Sequence, residues 1–220
     1  MTIEERFWQG EFGNEYTSRN VNYVESNYQL FHNIFEKERL DIEGEYWGRM
    51  NEYLYNIKSI IEFGAGSGQN ILALQKIFPN LIKGVAAVEI NKNALTELHN
   101  IPVEIRPYIY PVSILDWNQP ASKYDLVLSK GLLIHIHPDN IQKAYEVLYN
   151  ASNKYILICE YYNPAPIEVN YRGNTAKLWK RDFAGEMLDK YPDLSLIDYG
   201  FAYHRDKYYQ DDLNWFLLSK

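Results

Sequence analysis

Residues 60–70 read Ile60-Ile61-Glu62-Phe63-Gly64-Ala65-Gly66-Ser67-Gly68-Gln69-Asn70, and they lead into an apolar pattern of helical spacing carried by Ile71, Leu72, Leu74 and Ile77. An apolar strand end thus delivers an acid and three alternate glycines to the start of a helix. Glycines have no Cβ, so the turn can adopt unusual dihedrals and bring its backbone N–H groups close to a ligand at a helix N-terminus. About twenty residues further on, the apolar run Val85-Ala86-Ala87-Val88 ends at Glu89, where an acid can accept both hydroxyls of a ribose. The pattern points to a nucleoside-bearing cofactor. An ordinary tight turn uses the same glycines, and Glu89 at strand-end spacing tips the balance toward the cofactor. A dinucleotide fingerprint G-x-G-x-x-G requires glycine at position 69, where this chain has Gln69.

Outward from this stretch, apolar runs alternate with helical patterns. Strands are expected at 59–63, 85–89, near Ile109, at 124–129 and at 155–160, with helices starting at Gln69, Lys92 and Asp139. The alternation predicts an α/β protein with a parallel sheet covered by helices on both faces. Two helices are predicted before the sheet, over 28–40 (Leu30, Phe31, Ile34, Phe35) and 46–54 (Trp47, Met50, Tyr53, Leu54). The tail reads as a helix over 176–190 and two strands over 194–203 and 213–219, a closing hairpin that makes one strand antiparallel. One domain spans 1–220, with a lid and helices in 1–56 and the core in 57–220.

Composition narrows the partners. With 46% hydrophobic residues in 220, the chain can bury a substantial core. Its 22 basic and 29 acidic residues give a net charge of −7, the wrong sign for binding a long nucleic acid. The single cysteine, Cys159, sits in an apolar run and suits a core position in a reducing compartment. The acidic start and the lack of a long apolar run predict a cytoplasmic protein without membrane insertion. No Cys/His cluster has zinc-site spacing, and His135 with His137 lacks a third ligand nearby, so no metal is expected. Twenty tyrosines, several after residue 160, suit a pocket for a polar molecule and equally suit strands and surfaces.

With Glu62 before it, the G-x-G-x-G loop resembles the first motif of class I S-adenosyl-L-methionine (SAM) methyltransferases. That resemblance implies a Rossmann-like sheet with one antiparallel strand and an N-terminal helical lid. It places Glu62 at the methionine end, Gly64 and Gly66 under the nucleoside and Glu89 on the ribose, with Asn70, Ile90, Leu115 and Ser129 also at the cofactor. Asp116, in Ser113-Ile-Leu-Asp116-Trp117, corresponds to the family's adenine-binding acid. Asp116 also reads as a plain turn or capping residue before the break at Pro120.

Four blocks extend the likeness: 7–20 with its aromatics, glycines and Arg19; 131–139 (Gly131-Leu-Leu-Ile-His135-Ile-His137-Pro138-Asp139); 179–183; and Tyr203-His204-Arg205-Asp206. Together they resemble the methyltransferases associated with pseudaminic acid biosynthesis. The resemblance implies methyl transfer to an O or N atom of a small molecule in a bacterial surface-glycan pathway. Candidate acceptors are a sugar acid, a nucleotide-sugar, or a small phosphate or phosphoramidate. Phe12, Tyr16, Arg19 and Asn20 would form the lid. His135 and His204 are the candidate proton acceptors, while His137 packs or caps. Arg172, Arg181 and Arg205, with Tyr162, are expected to hold an anionic acceptor, each arginine singly also fitting a surface ion pair. A nicotinamide oxidoreductase and a non-catalytic SAM-binding protein are the competing readings.

Overall fold

In a computed structural model, residues 1–19, 23–35, 38–40, 46–49, 57–78, 81, 84–118 and 123–220 are described. The chain opens with helices α1 (Ile3–Gln9), α2 (Glu11–Arg19) and α3 (Val24–Phe35), then the antiparallel pair β1 (Glu38–Leu40) and β2 (Tyr46–Arg49). The core follows as β3 (Ile60–Phe63), α4 (Gln69–Ile77), β4 (Val85–Val88), α5 (Lys92–Asn100), β5 (Tyr108–Tyr110), β6 (Tyr124–Lys130), α6 (Pro138–Ala151) and β7 (Ser152–Glu160). A short antiparallel pair, β8 (Ile167–Glu168) with β9 (Trp179–Lys180), precedes α7 (Phe183–Lys190), β10 (Ser195–Ala202) and β11 (Leu213–Ser219).

Seven strands form one sheet in the order β10-β11-β7-β6-β3-β4-β5, with β3 to β7 parallel and β11 antiparallel to both its neighbours. The chain builds outward from β3 through β4 to β5, then returns to β6 on the other side. That reversal opens a crevice beyond the carboxyl ends of β3, β4 and β6. Every residue of β3 and β4 is buried, as a parallel sheet covered on both faces requires. The period of two divides the core. Ile60, Leu126, Leu128 and Leu157 join Phe31, Ile34 and Leu74 on one face, while Ile61, Phe63, Val127 and Ile158 meet Tyr145, Leu148 and Met187 on the other. Cys159 is fully buried in the first layer. No helix among the described residues is long and apolar enough to cross a membrane.

Three expected elements differ. The helix predicted over 28–40 is α3, which ends at Phe35, and Glu38–Leu40 pair as a strand. The helix predicted over 46–54 begins as β2, because Tyr46 and Trp47 suit a paired strand and Gly48 weakens a helix by roughly 1 kcal/mol; residues 50–54 lie outside the described set. The helix predicted over 176–190 starts only at Phe183. Asp182 caps it by accepting the Gly185 N–H at 2.8 Å, and Trp179–Lys180 are held in the β8–β9 pair.

Candidate functional site

After β3 the backbone passes through Gly64, Gly66 and Gly68 at φ of 72°, 53° and 82°. A side chain is strained there, and a Cβ on Gly66 would meet nothing within 4 Å, so the loop presents bare backbone to open space. The Gly66 N–H donates to Glu89 Oε2 at 2.8 Å. Glu89 Oε1 accepts the N–H groups of Ile90 and Asn91, each at 2.7 Å. Burial raises the Glu89 carboxyl above its ordinary range, opposed by those three donors. A carboxylate offers about four acceptor sites, so room remains for about one ligand hydroxyl, where the sequence suggested two.

Glu62 lies fully buried beneath the same loop. Asn70 Nδ2 donates to its Oε1 at 2.6 Å. Burial pushes the carboxyl up to about 8, against the lowering effect of Asn70. Glu62 Oε2 and Asn70 Oδ1 are buried acceptors without a partner among the described residues, a costly state that a ligand donor would relieve.

The N-terminal helices reach this loop through Asn91. Its Oδ1 caps α5 by accepting the N–H groups of Asn93 and Ala94 at 3.0 Å, while its Nδ2 donates to the Trp8 carbonyl at 2.8 Å and to Asn14 Oδ1 at 3.0 Å. α1 and α2 meet so closely that a Cβ on Gly13 would lie 1.8 Å from the Trp8 carbonyl oxygen. Trp8 packs edge-on to Phe12 and Tyr16, at 5.5 and 5.3 Å, and against the His135 ring at 4.5 Å. The two helices therefore cover the crevice as a lid.

Between lid and sheet is a cavity of about 600 Å³. On its far side Glu160, at the end of β7, accepts Ser129 Oγ at 2.8 Å and the N–H groups of Leu132 and Leu133 at 3.0 Å. Burial lifts its carboxyl to about 6, opposed by these donors. Glu160 thus fixes the turn that carries His135. The buried His135 ring has its Nδ1 2.7 Å from the Lys177 carbonyl. A carbonyl only accepts, so Nδ1 bears the hydrogen and Nε2 the lone pair. Burial lowers its pKa to about 4, partly offset by that hydrogen bond, which keeps the ring neutral near pH 7. His204 also lines the cavity, half exposed, with Nδ1 2.7 Å from Asp212. His137 caps α6 and stacks edge-on with Trp179 at 5.3 Å.

Of the residues singled out in the sequence, Tyr16, Gly64, Gly66, Asn70, Glu89, Ile90, Leu115, His135, His137, Arg172 and His204 line this one cavity. Others do not. Glu62, expected at the methionine end, is fully buried beneath the loop and behind Asn70. Phe12 stacks on Phe7 at 4.2 Å, behind Trp8. Arg19 is exposed and paired with Glu15 at 2.6 Å, one helical turn away. Ser129 is buried and turned to Glu160. Asp116 is exposed, and its neighbours Ser113, Ile114 and Leu115 form the wall instead. Arg181 is tied to Glu186 at 2.7 Å, Tyr162 packs with Phe216, and Arg205 is exposed outside the lining. Asn20 falls outside the described residues. Of the three arginines expected to hold an anionic acceptor, only Arg172 reaches the cavity, in company with Lys130 but also with Glu4, Glu5, Asp211 and Asp212.

Sequence reasoning missed Asn91, Glu160 and Asp212. Glu160 carried the same signal as Glu89, an apolar strand ending in an acid, and Asn91 stood as a cap before Lys92. Nothing in the spacing of Asp212 marks it as the partner of His204.

No family model and no curated protein sequence matches the chain. Solved structures do. The chain is similar to the 1,6-didemethyltoxoflavin-N1-methyltransferase of Burkholderia thailandensis, which was crystallised with its substrate and S-adenosylhomocysteine, with a TM-score of 0.65, 11% identity, and coverage of 99% of this chain and 87% of that one. It is similar to the magnesium protoporphyrin IX methyltransferase of Synechocystis PCC 6803, crystallised with SAM (TM-score 0.61, 13% identity, 100% and 98% covered). The mitomycin 7-O-methyltransferase MmcR matches with a TM-score of 0.65 and 12% identity over 100% of this chain and 61% of that one. The chain therefore has the class I methyltransferase fold, with a seven-stranded, mostly parallel sheet and one antiparallel strand.

Proposed function

We propose that the protein is a SAM-dependent methyltransferase acting on an O or N atom of a small-molecule acceptor. The observation that carries this is the knot at the end of β4, where Glu89 is hydrogen-bonded to the left-handed, open-faced Gly66 beside a cavity of about 600 Å³. The residues fit a bound nucleoside with an amino-acid tail. Gly66 leaves room for it, Glu89 has about one acceptor site left for a ribose hydroxyl, and the unpartnered Oδ1 of Asn70, which lines the cavity, suits an ammonium donor. Leu115 supplies an apolar wall. The fold shared with structures crystallised with SAM or S-adenosylhomocysteine supports the same reading.

SAM when bound supplies an already activated methyl group, so this chain's part is to align the acceptor and exclude water. Trp8, with His135 and Tyr171 packed against its ring, closes the cavity under the lid. His135 Nε2 is a neutral acceptor that can orient an O–H or N–H of the acceptor molecule. Arg172 offers a fork to a carboxylate or phosphate oxygen on that molecule. A role in bacterial surface-glycan synthesis in the cytoplasm is supported by the sequence blocks around Gly131 and Tyr203.

Calorimetry with SAM, S-adenosylhomocysteine and NAD tests the assignment. The first two should bind and NAD should not; NAD binding in their place would make the protein an oxidoreductase. Incubation with labelled SAM and a low-mass extract of the source cell should then yield a methylated small molecule.

A further inference from the structure

His204 and Asp212 face each other across the segment that joins β10 to β11, where the cavity meets solvent. Asp212 accepts the His204 backbone N–H at 2.9 Å, and its two oxygens lie 2.8 and 2.7 Å from Nδ1. Those donors hold the Asp212 carboxyl below its ordinary range, the backbone N–H foremost. An ionised carboxylate only accepts, so Nδ1 carries the hydrogen and Nε2 keeps the lone pair. Asp212 sits at φ 53°, a left-handed turn position that aspartate tolerates better than most residues.

The other two imidazoles on the cavity differ: His137 Nδ1 accepts the Asp139 N–H at 3.3 Å, so in the neutral ring the hydrogen lies on Nε2 and no lone pair is free there. His135 has its Nδ1–H directed at a neutral carbonyl, is buried, and has no carboxylate partner to offset a captured proton. We propose that His204 Nε2 takes the proton released in methyl transfer and that Asp212 is its positioning residue, an inference that rests on the methyltransferase reading. In the step, the acceptor's lone pair forms a bond to the methyl carbon and the carbon–sulfur bond breaks with its electrons going to sulfur. The acceptor's O–H or N–H proton passes to Nε2. Asp212 balances the imidazolium, which is half exposed and returns the proton to water. The other groups around the pair are the Tyr203 ring at 4.6 Å, Lys180 acting on Asp212, and Arg172 and Asp211 along the cavity wall.

Nitrogen-resolved imidazole spectra of the protein with S-adenosylhomocysteine, taken for wild type, Asp212→Asn and Asp212→Glu, test the pair without an acceptor. His204 should show the Nδ1–H tautomer in the wild type and in Asp212→Glu, and lose its preference for it in Asp212→Asn. Transfer from labelled SAM to the low-mass cell extract should fall roughly tenfold or more in Asp212→Asn and recover in Asp212→Glu. The opposite tautomer in the wild type, or full transfer by Asp212→Asn, overturns the proposal. Binding of S-adenosylhomocysteine with no transfer by the wild type also overturns it. Failure of S-adenosylhomocysteine to bind, with the pair intact in the spectra, instead removes the methyltransferase reading.

Discussion

The cavity end built on β3 and β4 and the end built on the chain after β7 satisfy their charged groups by different means. At the first, Glu89 is surrounded by backbone N–H groups of its own strand end and of the glycine loop. At the second, His204 is met by the Asp212 side chain, and Arg172 lies near the Tyr171 ring on an exposed turn. Backbone donors are placed by the strand-to-helix connection itself, so that end is as rigid as the sheet. Side-chain partners depend on where two loops come to rest. The difference teaches that the end tied to the sheet is fixed by the fold, whereas the end built from loops is free to vary with its side chains.

Opposed pH dependences sharpen the contrast. Glu62 has its pKa raised from 4.5 to about 8, so its contribution to stability is whole below pH 4.5 and is lost as pH rises to about 8. The loss is on the order of 5 kcal/mol. Glu62→Gln should flatten that limb in denaturant titrations at pH 5 and pH 8.5, and an unchanged limb would place the titration elsewhere. His135 acts in reverse. Its pKa is lowered from 6.5 to about 4, so stability is present above pH 6.5 and falls by roughly 3 kcal/mol as pH drops to about 4. His135→Gln should remove that acid sensitivity.

Glu89→Ala should cost on the order of 1.5–3 kcal/mol of S-adenosylhomocysteine binding, because a charged acceptor is lost and three N–H groups are released. Calorimetry on the folded variant checks this, and wild-type affinity would break the account of the β4 end. Gly13→Ala forces a Cβ against the Trp8 carbonyl oxygen, a clash of roughly 1–3 kcal/mol. Hydrogen exchange over 3–19 should rise, with the sheet unaffected. The smallest effect belongs to Arg205→Ala, which should stay within about 0.5 kcal/mol in stability and in binding, since Arg205 lies outside the cavity lining. A clear loss of binding there would bring Arg205 into the cavity.

Several of the singled-out residues that line the cavity share one trait, a fixed distance along the chain from a strand end. Gly66, Asn70, Glu89 and Ile90 each follow β3 or β4 within a few positions. Leu115 lines the cavity and Asp116 does not, although both were named and they are adjacent, because in the single turn of helix after Ser113 one side chain is buried and the next exposed. Arg181 and Arg205 had the right charge in the right half of the chain. Their fate was decided by Glu186 and by the direction of a loop, neither of which has a periodicity to read.

The sequence alone determined the alternation of strands and helices, the closing antiparallel strand, the glycine loop and the acid behind it. Apolar periodicity and the need to bury both faces of a parallel sheet leave few other arrangements. Only the tertiary structure decided that Asn91 anchors the lid, that Glu160 fixes the turn bearing His135, and that Asp212 holds His204. Those pairings join segments whose approach is set by packing, and packing specifies a neighbour only once the whole core has closed.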